Sequence, residues 1–179
     1  MVARTMPLMP NFFAGQKLTG TLMNQVGTFG VFWANAPMFR MYQTIAQSIP
    51  NNTWTQVTCD TSDYDTETGR SISTPYSYTI PTGMTGRWMF GWIVPWVMNN
   101  TGNRAATVYK NGNPASTWPL APGVSTNGTS IGWTDEISCN AGDVMALFAW
   151  QGSGGAVNTA TGTGSASIFW GRLVSLANP

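Results

Sequence analysis

From residue 40 onward, hydrophobic and polar positions alternate over short stretches broken by Gly, Pro, Asn, Ser and Thr. A period of two marks half-buried strands. The pattern predicts strands over residues 40–47, 53–60, 76–80, 87–98, 105–110, 130–138, 144–150 and 165–174. The stretch 87–98 carries the strongest signal. One face holds Trp88, Phe90, Trp92, Val94, Trp96 and Met98, and the other Met89, Gly91, Ile93, Pro95 and Val97. Both faces are apolar, so this strand should be covered on both sides. Pro95 has no N–H for a ladder, which implies a bulge or an unpaired edge position. Asn111-Gly112 after an alternating run predicts a hairpin turn. Ala141-Gly142-Asp143 predicts another turn, and the Gly/Ser/Thr-rich stretch 152–164 a loop. About eight short strands without a long helix predict an all-β sandwich or barrel.

Before residue 40 the pattern is different. Residues 1–39 hold Arg4 and Lys17 but no acid. They carry Met1, Met6, Met9, Met23 and Met38, a set of aromatic residues, and prolines at 7, 10 and 37. One short helix is predicted, from an N-cap at Thr19 through Leu22, Met23 and Val26 to Gly27. The remainder of this arm should be irregular. The chain therefore divides into an arm, residues 1–39, and a sheet domain, residues 40–179. So apolar an arm must pack on its own domain, a sister subunit or another protein. Phe12, Phe13, Leu18, Leu22, Met23, Phe29, Phe32 and Trp33 are its candidate assembly residues.

Charge narrows the function. The chain has 8 basic and 7 acidic residues and a net charge of +1, about a third of the usual charged content. Scattered basic residues argue against nucleic-acid binding, which needs clustered Lys and Arg. The chain has no histidine. That removes the commonest general base and metal ligand; no enzyme, cofactor or metal is expected. Asp60, Asp63, Asp65 and Glu67 read as a solvated loop with Asx turns. The alternative, calcium, lacks the glycine and distal Glu of a known loop. No stretch is long enough to span a bilayer, and the N-terminus has no apolar signal region. The protein should therefore fold in a cytoplasm, with Cys59 and Cys139 reduced. The Asn-x-Thr triplets at Asn51, Asn99 and Asn127 would matter only in a secretory pathway.

Seven of the nine tryptophans divide into two groups, the first joined by Phe90, Tyr109 and Phe148. Trp88, Phe90, Trp92, Trp96, Tyr109, Phe148, Trp150 and Trp170 fall on strands, as core or subunit-interface residues. Trp118 and Trp133 lie nearer loops. With the 152–164 loop they are the candidate ligand residues, since an exposed indole can stack on a sugar.

Several motifs then resemble one family. Thr101-Gly-Asn-Arg104, followed by Val108-Tyr-Lys-Asn-Gly112, resembles the middle strands of C1q/TNF-like jelly rolls. Ser138-Cys-Asn-Ala-Gly-Asp143-Val144 is similar to a turn of that family, and Ser167-Ile-Phe-Trp-Gly-Arg-Leu173 to its last strand. Asp60-Thr-Ser-Asp-Tyr-Asp65-Thr resembles the version found in phage virion proteins. Phe13-Ala-Gly-Gln-Lys-Leu-Thr-Gly-Thr-Leu-Met-Asn24 is similar to an N-terminal segment of tailed-phage structural proteins. The resemblance implies a jelly-roll β-sandwich and a homotrimer. It further implies a non-enzymatic virion protein, anchored through its arm to capsid or tail as a head decoration or minor tail protein. The alternative it leaves open is an adhesin of the same fold that binds a host-surface glycan.

Overall fold

The alternating stretches fold into an antiparallel sandwich in a computed structural model that describes residues 4, 7–70, 76–124, 128–162 and 164–176. Met1, Met6, Asn127 and residues 177–179, all named in the sequence reading, lie outside the described residues. The elements begin with helix α1 (Gly20–Ala34) and strands β1 (Met38–Tyr42), β2 (Ser48–Ile49), β3 (Thr55–Gln56), β4 (Thr61–Asp65) and β5 (Ser77–Thr79). β6 (Gly86–Trp96), β7 (Asn103–Lys110), β8 (Asn113–Pro114) and β9 (Leu120–Pro122) follow. The chain closes with β10 (Thr129–Cys139), β11 (Val144–Gln151), β12 (Val157–Asn158) and β13 (Ile168–Leu176).

One sheet has the order β10-β6-β13-β1-β4. The other has the order β3-β11-β7-β8, with β5 also on β11 and β9 also on β7; β12 and β2 form a separate pair. The core lies between the two sheets. Trp88, Phe90, Trp92, Val94 and Trp96 point into it from β6, and Val108, Leu147 and Ala149 meet them from the other sheet. The Trp92 indole donates across the sandwich to the Ala106 carbonyl at 3.2 Å. Val57, Cys59 and Cys139 complete this core, both thiols free.

The β6–β13 contact depends on two glycines. Gly91 lies opposite Trp170 and Gly171 opposite Phe90. Paired residues share a face, so the two glycines open space on opposite sides of one ladder. A Cβ on Gly91 would lie 2.3 Å from the Trp170 ring, and one on Gly171 would lie 2.6 Å from Phe39 and 2.8 Å from Phe90. The indole of Trp170 thus lies over bare backbone.

Several elements differ from the sequence expectation. α1 is 15 residues long and runs through Gly27 and Gly30. Thr19 does cap it, accepting from the Leu22 N–H at 3.2 Å. The helix outlasts its glycines because Phe32 joins the core and Trp33 packs against it; tertiary packing outweighs propensity. The first strand ends at Tyr42 instead of residue 47 because Gln43 enters a buried polar web. Its side-chain oxygen accepts from Thr159 and Ser167, and its amide donates to Thr58 at 3.1 Å. The same web shortens the expected strand 53–60 to β3, because the Gln47 side chain binds the Gln56 carbonyl and the Thr58 N–H. Asp63 and Asp65 stand in β4 rather than in a loop. Stretch 152–164 contains β12. Pro95 makes neither a bulge nor an unpaired edge: it lies in an interior strand, its register with Ser130 is unshifted, and its carbonyl accepts from Ala160 beyond the start of β13.

The two turn motifs lock together. Asn111 and Gly112 have φ of 52° and 81°, the left-handed pair that a two-residue hairpin requires. The Asn111 amide donates to Asp143 and its oxygen accepts from the Val144 N–H, each at 2.8 Å. Burial works against the Asp143 charge, but the bonds from Asn140 and Asn111 and the nearby Lys110 hold its carboxyl below the ordinary value.

Two tests follow. Gly171→Val should destabilise the fold by about 1–3 kcal/mol through overpacking, and Gly91→Val by less, because Trp170 can swing into solvent; urea denaturation reads both. Burial pushes the Cys59 thiol up to about 12, helped by Asp60, and burial does the same for Cys139. Neither should react with a thiol reagent near about pH 8 in the native protein, whereas both should react once unfolded. The sign at alkaline pH follows. Unfolded thiols ionise near 9.0 while folded ones hold their protons to about 12, so stability should fall as pH rises through that window.

Candidate functional site

The arm is tied to its own domain at two places. Arg4 donates from its backbone N–H and Nε to Glu67 at 2.9 and 2.7 Å, and its guanidinium lies 5.6 Å from the centre of the Phe32 ring. Glu67 is buried in the connection after β4. At the other place, α1 buries Leu22 and Phe32 and half-buries Phe29 and Trp33. These four candidate assembly residues are therefore largely engaged by their own chain. The remaining four are open to solvent: Phe12 is 52% exposed, Phe13 71%, Leu18 69% and Met23 54%. Sequence reasoning missed Leu8, Met9 and Val31, which are also exposed.

The carboxylates do not converge. Asp60 accepts from the Thr44 N–H and hydroxyl at 2.9 and 2.8 Å, and Asp63 pairs with Arg40. Asp65 accepts the N–H groups of Gly69 and Arg70 at 3.1 and 3.0 Å, and Glu67 holds Arg4. Among the described residues no three potential metal ligands come together, and no helix is long and apolar enough to cross a membrane. Of the arginines, Arg87 pairs with Glu136 at 3.1 Å. Arg104 is fully buried, and among the described residues no carboxylate pairs with it. Its guanidinium donates to the carbonyls of Thr101, Asn103 and Asn99 and lies over Trp96. Burial pushes its pKa down.

The candidate core or interface residues separate by face. Trp88, Phe90, Trp92 and Trp96 are buried between the sheets. Trp170 is half-buried on the outer face of the five-stranded sheet. That face also carries Met89, Ile93 and Val97, which are exposed. A shallow depression of about 420 Å³, lined by Arg40, Ile93, Gly132, Trp133, Thr134, Ile168 and Trp170 among others, lies here.

Tyr109, Phe148 and Trp150 face outward from the second sheet. Register places Tyr109 beside Ala146, Thr107 beside Phe148 and Ala105 beside Trp150. Tyr109 and Phe148 stack at 4.0 Å. Trp54, which sequence reasoning did not single out, lies over them, 6.0 Å from Tyr109, 6.5 Å from Trp150 and 5.5 Å from Trp118. Its signal was faint because it stands just before β3, a strand of only two residues.

The two ligand candidates are not brought together. Trp118 stands in the β8–β9 loop, 45% exposed. Trp133 is 50% exposed but lies in mid-strand on β10, opposite Trp92. It is open because β10 is an edge strand. The 152–164 loop folds back on its own neighbours, with Ser153 and Gly155 bonded to the Gln151 side chain.

No family model and no curated protein matches the chain. Solved structures do. The globular domain of zebrafish complement 1qA protein is 13% identical with a TM-score of 0.58, covering 79% of this chain and 99% of that one. PRD1 vertex protein P5 is 16% identical with a TM-score of 0.59, covering 78% and 98%. Murine APRIL at pH 5.0 is 10% identical with a TM-score of 0.58, covering 77% and 99%. The likeness is one of fold, and the fold is an all-β sandwich of the C1q/TNF-like jelly-roll type.

Proposed function

We propose that this chain is a non-enzymatic structural protein of a tailed-phage virion. It is a homotrimer of jelly rolls, anchored to head or tail through its arm. The observation that carries the reading is the arm. It is pinned to its own domain by Arg4 and Phe32, yet Leu8, Phe12, Phe13, Leu18, Met23 and Val31 stay exposed. So much apolar surface held in a fixed place is a docking surface. The fold likeness to PRD1 vertex protein P5 supports a virion setting.

The trimer uses the outer face of the five-stranded sheet. Met89, Ile93, Val97 and Val174 are exposed there, and Trp170 is half covered by its own chain. Covering such positions contributes about 25 cal/mol per Å², less the cost of association.

Two measurements test the proposal. Light scattering should give three times the 19.3 kDa chain mass, and Ile93→Lys should give a monomer with unchanged circular dichroism. A wild-type monomer at micromolar concentration would sink the trimer. A triple variant, Phe12→Ser, Phe13→Ser and Leu18→Ser, should keep its mass yet enter particles about tenfold less, a deficit of some 1.4 kcal/mol. Mass spectrometry of separated heads and tails reads this. Undiminished incorporation would end the anchor.

A further inference from the structure

The second sheet carries an aromatic cluster that the core does not need. We propose that Trp54 and Trp118 form a binding site for an uncharged carbohydrate, one sugar ring of an oligosaccharide or polysaccharide lying against the two indoles. This site is independent of the arm and of the trimer face, which lie elsewhere on the fold.

The architecture is that of a platform. Trp54 precedes β3 at one edge of the sheet, and Trp118 arrives from the β8–β9 loop at the other. Their rings meet at 5.5 Å and 70°, forming a corner. Small residues beneath make room for them. Ala105 and Thr107 are fully buried although they face outward, and the Ser116 and Thr117 carbonyls close over Thr107. The loop bearing Trp118 is held from both sides. The Thr107 hydroxyl donates to the Ser116 carbonyl at 3.1 Å, and the Ser116 hydroxyl donates to Asp135 at 2.5 Å. The loop that carries this indole, 45% exposed, is thus held in place before any ligand arrives, which lowers the entropy cost of binding.

Chemistry selects the occupant. Aromatic faces carry a negative quadrupole and attract the weakly positive C–H faces of a sugar ring. The outward strand positions around the cluster are Gln56, Ser77, Thr79 and Thr107, all uncharged. Asn52 adds an amide near Trp150: its oxygen is 3.2 Å, and the Trp150 ring 2.7 Å, from where a Gly152 Cβ would stand. Lys110, next to Tyr109 in the chain, is turned to the Ser138 carbonyl and Asp143. A phosphate, a sulfated glycan or a nucleic acid would find no cation here to answer its charge. A protein partner needs about 800 Å² of complementary surface on each side, and two rings meeting edge to face offer a notch for a ring-sized group instead.

A broad array of uncharged and anionic glycans, probed with the full-length protein, tests the site. Binding should be confined to uncharged members. In calorimetry with the best of them, Trp54→Ala and Trp118→Ala should each weaken binding by about tenfold or more. Trp118→Phe should retain most of it, and Trp133→Ala should leave it unchanged. Near-ultraviolet circular dichroism of the variants checks that the sheet is intact, and light scattering reads the trimer separately. Silence across the array, a preference for anionic glycans, or undiminished binding by both alanine variants would overturn the proposal.

Discussion

Apolar side chains project from both faces of both sheets, and the sandwich can cover only the faces turned toward each other. That constraint governs the rest of the molecule. Trp88, Phe90, Trp92 and Trp96 fill the interior. Outside it, two further aromatic surfaces remain, one at Trp170 and one at Trp54, Tyr109, Phe148 and Trp150. The chain manages them with its own residues as far as it can. Trp170 lies over Gly91, where the missing Cβ lets the indole come down onto the backbone. Trp54 and Trp118 fold inward from opposite edges over small residues. The arm follows the same rule, burying Phe32 and leaving Leu8, Met9, Phe12 and Phe13 open.

Low charge fits this arrangement. A protein with few ion pairs must satisfy its buried polar groups in other ways, and here amides and hydroxyls satisfy a buried web of them. Gln43, Thr159 and Ser167 form a closed set of bonds in the interior. Arg104 is the extreme case. Its buried cation rests on backbone carbonyls and an indole face rather than on a carboxylate. Backbone dipoles aimed at one guanidinium offset part of its desolvation. The result is that the Asn99–Asn103 segment is fastened to the end of β7.

How much of this was legible in the sequence depended on the length of each signal. The β6 alternation was long and unmistakable, and the Asn111-Gly112 turn has the geometry its chemistry demands. The change of pattern near residue 40 lies close to the start of β1 at Met38. The end of α1 was not. Gly27 reads locally as a stop, and only packing of Phe32 against distant strands carries the helix past it. The segments 43–47 and 57–60 have strand-like composition but spend their bonding capacity on side chains. The aromatic site was half legible. Trp118 was visible as an exposed indole, but its partner is Trp54, more than sixty positions away in the chain. Only the β3–β11–β7 order brings the two together.

Arg4 and Glu67 explain why the arm is positioned rather than merely attached. A helix docked only through Leu22 and Phe32 could rock about that contact, since apolar packing is weakly directional. The Arg4 guanidinium removes that freedom by engaging the buried Glu67 carboxylate and the Phe32 ring together. Glu67 is buried while the Arg4 side chain is 37% exposed, so the pair is only partly shielded from the solvent screening that weakens surface ion pairs. Pro7 and Leu8 line a shallow depression with Thr21, Asn24, Gln25 and Thr28 of α1, while Leu8, Met9, Phe12 and Phe13 stay exposed. A segment held at Arg4 and again at the start of α1 has little freedom to fold its own apolar side chains inward, so their exposure follows from the fastening.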